Sequence, residues 1–250
     1  MGKAFTFLIV AAAVVARGLA DDAGDFQKLN GEQRLARARV AHGKIIAQKF
    51  KDAGLPYPAR EIFLRWFKRE AVVELWARED TGRFQLVATY PILATSGGPG
   101  PKRREGDGQV PEGFYEIDRF NPASLFHLSL GLNYPNPADR ILARDGNPGG
   151  DIFIHGSNVS IGCAPLGDAA IEQLYLAALD TRSRGQTHLP VHVFPARMHG
   201  AEWTTFAAGH AALAPFWLQL QPAYDAFERD HTLPAFTVAP DGRYRVAPLR

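Results

Sequence analysis

Cysteine is scarce in this chain of 250 residues, which contains a single one at position 163. One cysteine cannot close an internal disulfide, and the paired cysteines of common structural zinc sites are absent. The sequence also lacks the HExxH spacing of zinc peptidases and the GxxxxGK phosphate-binding loop. These absences exclude a disulfide-stabilised scaffold, and we predict neither a bound metal nor a cofactor.

An excess of charge of one sign is also missing, since the formal net charge is +2. The basic run at 102–104 is short and ends at Glu105, which is typical of a solvated loop. We therefore predict no nucleic-acid partner. Beyond residue 20 no apolar run approaches the length of a bilayer span, so we expect no integral membrane segment in the mature chain.

The first 20 residues differ from the rest of the chain. Lys3 is followed by the apolar run 5–16, and small residues at Gly18 and Ala20 precede Asp21. This order is typical of a secretory signal peptide, with cleavage before Asp21. An uncleaved membrane anchor is the alternative.

Local patterns predict an α+β fold that is rich in strands. Helical spacing is found at 32–52, 168–179 and 211–229. Strands are expected at 62–67, 71–76, 83–92, 114–117, 125–130, 151–154 and 191–194, with a closing hairpin at 236–246 and a long loop at 96–113. We expect an N-terminal helical segment at 21–58, a central domain at 59–199, and a C-terminal helix and hairpin at 200–250 that pack on the same domain.

The chemistry is concentrated in residues 151–168. His155 ends a predicted strand, and Cys163 follows Gly162 just ahead of a predicted helix. An imidazole can take the proton of a thiol, and amides at a helix start stabilise the resulting anion. Gly162 leaves room for a substrate, and amides at 162–164 are candidates for an oxyanion hole.

Two other interpretations of these residues remain open at this point. His155 and Cys163 are also compatible with a core histidine and a buried apolar filler. Metal binding would draw on Cys163 and a set of imidazoles that lack familiar ligand spacing, namely His155, His188, His192 and His199.

Several motifs in order resemble the L,D-transpeptidase (YkuD-domain) family. His155-Gly156 followed by 160–163 (SIGC) is similar to its HG…SxGC signature, and the loop motifs at 100–108 and 111–115 are similar to GxK…EGDxxTPEG(F/Y)Y. The segments at 134–140 and 192–198 resemble the YafK-like subgroup. Ile161 stands where many members have His, and Pro165 stands where many have Arg.

The resemblance implies an L,D-transpeptidase-type β-sandwich with peripheral helices, an active site and a periplasmic location. Cys163 would be the nucleophile and His155 the base. Gly156 would orient His155 through its backbone, Gly162 would belong to the oxyanion loop, and Ser160 would support that loop. Arg197, Arg140 and Tyr134 are the substrate-binding candidates, with either arginine standing in for the missing family Arg.

The implied substrate is a peptidoglycan stem peptide, attacked at the carbonyl of its third residue to form a thioester. Transfer of this acyl group to an amine is the first interpretation, and an imidazole partner predicts a lowered pKa for the Cys163 thiol. Hydrolysis, which includes release of a peptidoglycan-attached lipoprotein as a second partner, is the alternative. A third interpretation is a protein that binds peptidoglycan without turnover.

Overall fold

The structure, a computed structural model, describes residues 25–248. The predicted signal peptide at 1–20 lies outside the described residues. The helices in this range are α1 (Gly31–Asp52), α2 (Pro137–Leu142), α3 (Asp168–Ser183), α4 (Gly200–Ala208) and α5 (Ala214–Asp230). The strands are β1 (Glu61–Phe67), β2 (Val72–Arg78), β3 (Gln85–Pro91), β4 (Gly113–Asn121), β5 (Ser129–Leu132), β6 (Phe153–His155), β7 (Ala164–Pro165), β8 (Leu189–Phe194), β9 (Phe236–Val238) and β10 (Tyr244–Val246).

Eight of these strands form one curled sheet in the order β3-β2-β1-β8-β4-β5-β6-β7, and β9 and β10 form a separate hairpin. The β1–β2 hairpin is antiparallel, as the sequence predicts. On its other side β1 pairs in parallel with β8, which comes from the far end of the central domain. The predicted α+β, β-rich class is confirmed.

The centre of the sheet is buried on both faces, and this explains the almost continuous apolar run of β1. Leu64 and Trp66 join the core beneath α1 and α3. Phe67 points to the opposite face, where it packs with Trp217 and Tyr224 of α5. The alternation follows from the two-residue period of a strand.

Helix α1 covers the first of these faces. Its N-terminus has a complete capping box, in which the Asn30 side chain accepts from the Gln33 backbone and Gln33 returns a bond to the Asn30 amide. Ile46 and Phe50 are fully buried against the sheet. The helix thus begins and buries its apolar stripe where its sequence predicts.

Several boundaries differ from the prediction. The strand expected at 125–130 begins at Ser129, because the backbone turns at His127, whose φ is +73°. The helix expected from 211 begins at Ala214, where Pro215 in the first turn sets the helical φ. Helices α2 and α4 were not predicted at all.

The long loop between β3 and β4 is fixed from within by two acids. Asp107 accepts from the Lys102 ammonium at 2.7 Å and from backbone amides that include that of Gln109. Glu112, which has no exposed surface, accepts from Lys68 Nζ at 2.9 Å and from Trp217 Nε1 at 2.7 Å. The loop is therefore tied to both β1 and α5 beside the candidate site.

Within residues 25–248, no helix combines the length and the apolar character needed to cross a membrane.

Candidate active site

His155 lies at the end of β6 and is buried, with 3% of its surface exposed. Its Nδ1 lies 2.5 Å from the carbonyl oxygen of Gly156. A carbonyl oxygen can only accept, so Nδ1 carries the proton and Nε2 is left with a free lone pair. The Phe126 ring packs against the imidazole, with 4.9 Å between ring centroids. This arrangement gives the tautomer that a general base requires.

Cys163 is half-buried and lies directly before β7. Its Sγ accepts from the Phe153 amide at 3.4 Å, and the next residue, Ala164, pairs with Ile154. Residues two apart on a strand share a face, so His155 lies on the same face of β6 as Phe153, the residue opposite Cys163. Thiol and imidazole both line one cavity.

The loop before Cys163 is held by two serine hydroxyls. Ser160 Oγ accepts from the Cys163 amide at 2.9 Å and donates to the Cys163 carbonyl at 2.7 Å. The Gly162 amide donates to Ser96 Oγ at 2.6 Å. Gly162 has a φ of +95°, and a Cβ there would lie 3.0 Å from the Gln109 carbonyl oxygen. Glycine is therefore required at this position.

The helix predicted from residue 168 begins there. Strand β7 lies between Cys163 and this helix, α3, which has Gly167 as its N-cap. Within the described part of the chain, no amide of this helix start is bonded to the Cys163 sulfur, whose amide donor is that of Phe153, so stabilisation of the thiolate by the helix stays a prediction. The Asp168 carboxylate instead accepts from the Ser157 amide at 2.7 Å.

The expected lowering of the thiol pKa is also wrong. Burial raises the pKa of Cys163, and the nearby Asp151 carboxylate adds to this effect, although the Phe153 amide opposes it. Burial lowers the pKa of His155, opposed by its bond to Gly156. At neutral pH the site therefore holds a neutral thiol beside a neutral imidazole, and the proton must move as the sulfur attacks.

Cys163 lines two cavities. The first, here the loop cavity, has a volume of about 290 Å³ and is lined by residues that include Lys68, Gly97 and Val110. The second, here the histidine cavity, measures about 370 Å³ and includes Phe126 and His155. Cys163 thus borders both spaces.

A polar network that sequence reasoning missed lies behind His155. His127 Nε2 lies 2.7 Å from Glu172 Oε1, and its Nδ1 lies 3.5 Å from Asp168 Oδ2. A Cβ on Gly156 would lie 2.6 Å from Asp168 Oδ1 and 2.7 Å from the His127 Cβ, so this glycine is sterically required. No local signal marks His127, because its partners come from a distant helix.

The three substrate-binding candidates do not line either cavity around Cys163. Tyr134 is buried and donates to the Pro148 carbonyl at 3.0 Å. Arg197 bonds to Glu74 at 2.5 Å, and Arg140 is exposed on α2. Their role in substrate binding stays a prediction.

The other histidines lie apart from the thiol. His192 is buried among aromatic rings, and His199 contacts the Tyr224 hydroxyl. His188 is exposed and lies 2.7 Å from Glu116. Among the described residues, no group of three or more potential ligands is placed to hold a metal ion.

The burial of His192 leads us to expect that the stability of the fold falls in acid. Burial lowers its pKa from 6.5 to about 3, and Arg65 adds to the effect. Below pH 6.5 the unfolded chain binds a proton that the native chain excludes. We expect the free energy of unfolding to fall by about 1.4 kcal/mol per pH unit from this group as the pH drops from about 6.5 towards 3.

Urea denaturation across this pH range measures the effect. The His192→Phe variant keeps an aromatic ring beside Phe63 and Phe114 and should lose this component of the slope. The His188→Phe variant, whose side chain is exposed, is the control and should keep it. An unchanged slope in His192→Phe would contradict the assignment.

Comparison with known proteins gives matches to one family. The L,D-transpeptidase catalytic domain (YkuD) matches residues 68–193. The chain is 33% identical over 204 residues to the protein named "Putative L,D-transpeptidase YafK" of Escherichia coli K12, covering 81% of this chain and 79% of that relative. The same values hold for its counterpart in Escherichia coli O157:H7.

Among solved structures, the helical cell shape determining protein Pgp2 from Campylobacter jejuni is similar, with a TM-score of 0.45 and 22% identity. The match covers 67% of this chain and 56% of that chain. The sequence matches to the catalytic domain and to the two curated relatives carry the assignment. This chain belongs to the L,D-transpeptidase (YkuD) family.

Proposed function

We propose that this protein is an exported cysteine acyltransferase that acts on peptidoglycan stem peptides in the periplasm. Cys163 is the nucleophile and His155 the base. The observation that carries the proposal is that Cys163 lines one cavity together with His155, whose imidazole is held in the tautomer of a base, and also lines a second cavity. Family membership and the name of the E. coli relatives, L,D-transpeptidase, support the same chemistry.

The reaction begins with neutral partners. His155 Nε2 takes the thiol proton while Sγ attacks the carbonyl carbon of the third stem residue. The tetrahedral intermediate collapses as its C–N bond breaks, and the imidazolium gives the proton to the departing amine. A thioester to Cys163 remains, and the imidazole is again neutral.

The two cavities favour transfer to an amine over hydrolysis. With an acyl donor in one of the cavities that Cys163 lines, the other has room for an incoming amine. His155 takes a proton from this amine as it attacks the thioester, and the C–S bond then breaks to restore the thiol. Water needs no cavity of this size, so the second space supports a two-substrate reaction.

The oxyanion is stabilised in this proposal by the amides of Gly162 and Cys163. Both amides donate to serine hydroxyls, from Ser96 and Ser160 respectively. Each hydroxyl must move aside, or rotate to donate a hydrogen bond itself, when a substrate oxygen arrives. Before the substrate binds, Ser160 donates to the Cys163 carbonyl and supports the loop.

Incubation with purified disaccharide-tetrapeptide, with and without an amine acceptor, tests the function by mass spectrometry. A thioester adduct on Cys163 and a product joined to the added amine are the expected results. Release of the terminal amino acid with no transfer product would show that the protein is a hydrolase and not a transferase. Binding with neither adduct nor product would overturn both enzymatic forms.

The pH profile of thioester formation tests the base. Since burial lowers the pKa of His155, the rate in wild type should stay high down to an inflection below pH 6.5 and then fall as the base is protonated. We expect His155→Ala to slow acylation by about 10²–10⁴-fold at pH 7 and to abolish this inflection.

The exposed His188 supplies a matched control, because His188→Ala removes an imidazole outside both cavities. This variant should keep the wild-type rate and inflection. An unchanged profile in His155→Ala would show that another group accepts the thiol proton.

A further inference from the structure

A third concave surface, here the arginine cleft, lies beside the loop cavity. It measures about 710 Å³ and is formed by the long loop, the segment after α2, the start of α5 and the β9–β10 turn. Four arginines line it, namely Arg103, Arg104, Arg144 and Arg243. Pro99 lines both the arginine cleft and the loop cavity, so the two spaces adjoin at this residue.

The positive charge of the cleft is only partly neutralised. Arg103 bonds to Asp139 at 2.9 Å, and Arg243 lies 3.5 Å from Asp241. The Asp107 carboxylate is already engaged by Lys102 and backbone amides.

Arg104 and Arg144 are exposed on the cleft. Among the side chains that the structure describes, no carboxylate lies within ion-pair distance of either guanidinium. Two guanidinium groups therefore remain available to an anion.

The N-terminus of α5 faces the same space. Leu213 and Pro215 line the cleft, and Leu213 as N-cap offers no side-chain hydrogen bond to the first turn. No described side chain therefore caps the positive end of the helix dipole where α5 lines the cleft. Helix end and arginines together favour a negatively charged ligand.

We propose that the arginine cleft binds free carboxylate groups of the peptidoglycan peptide whose reacting segment lies at Cys163. The inference rests on the proposed function. A peptide that extends from the loop cavity past Pro99 meets the cleft first, and stem peptides carry free carboxylates along their length. The planar fork of Arg104 or Arg144 matches a carboxylate through two parallel hydrogen bonds.

Calorimetric binding of disaccharide-tetrapeptide to the Cys163→Ala chain tests the cleft without turnover. Adding Arg104→Gln and Arg144→Gln together should weaken Kd at least about tenfold, since each is expected to remove a charge-assisted contact. Arg83→Gln is the matched control, because Arg83 is exposed and lines none of the three surfaces. It should leave Kd unchanged.

A peptide whose carboxylates are converted to carboxamides identifies the chemistry. The amidated peptide should bind the Cys163→Ala chain with the same weakened Kd that the free acid shows for the double arginine variant. The double arginine variant should bind the amidated peptide no more weakly than the Cys163→Ala chain does. An unchanged Kd in the double variant would overturn the cleft as a binding site. Full affinity for the amidated peptide, or stronger competition by inorganic phosphate than by acetate, would overturn the carboxylate assignment.

Failure of the cleft is distinguishable from failure of the proposed function. With Cys163 intact, absence of a thioester in wild type and in the arginine variants alike would refute the acyltransferase. A thioester with equal Kd and equal KM in wild type and the double variant would refute only the cleft.

Discussion

Replacing Cys163 with alanine should lower turnover by about 10⁴-fold or more while the protein remains folded. In the proposed reaction the sulfur carries the acyl group, and the methyl group of alanine cannot form a thioester. Without the thiol, His155 has no nucleophile to deprotonate. Mass spectrometry should find no covalent adduct in the variant.

The fold should tolerate the change, because Cys163 is half-buried and its sulfur makes two long bonds, one accepted from the Phe153 amide at 3.4 Å and one donated to the Asp151 carbonyl at 3.6 Å. We expect less than about 1 kcal/mol of lost stability. Denaturation curves and substrate binding that match the wild type are the controls. Turnover at the wild-type rate in this variant would refute the nucleophile assignment.

Removing the charge of Glu112 should destabilise the protein by about 3–5 kcal/mol. This carboxylate is fully buried and accepts from Lys68 Nζ, the Gly100 amide and Trp217 Nε1. Glu112→Gln keeps the shape but leaves the Lys68 ammonium buried without a counter-charge. Burial already lowers the pKa of Lys68, and Glu112 opposes this effect. Urea denaturation measures the loss.

Glu116→Gln is the matched control, since Glu116 lies on β4 and pairs only with the exposed His188. It should cost less than about 1 kcal/mol. The double variant Lys68→Met and Glu112→Gln should recover part of the stability, because no unpaired charge remains. A loss below about 1 kcal/mol in Glu112→Gln would contradict the importance of this buried pair.

Local signals in the sequence predict much of the fold. Helix α1 follows from an apolar stripe and a capping Asn30, and the β1–β2 hairpin follows from two apolar runs around Lys68. Helix α2 carried a readable signal that was missed, because Asn136, Pro137 and Asp139 form a capping box with proline in the first turn. The sequence signal for helix α4 is weaker, because this helix begins at a glycine and contains two β-branched threonines.

The motif predicts Cys163 and His155 as the catalytic candidates, but it does not predict their environment. The raised pKa of Cys163 depends on burial by loops distant in sequence, which no local pattern records. The same holds for Ser96, which holds Gly162 across 66 positions of the chain, and for His127 behind His155. Long-range contacts of this kind follow from strand order, which the sequence leaves open.

The position of β8 between β1 and β4 has a consequence for how the protein folds. The central sheet cannot close until residues 189–194 have been made, although its first hairpin is complete by residue 78. Pairings between segments so far apart raise the contact order and make closure a late, slow event. Ser96 follows β3 and Gly162 precedes β7, so the hydrogen bond between them joins the two halves of the sheet that β8 brings together and should form only in this last step. An incompletely folded chain would then lack this support of the Cys163 loop.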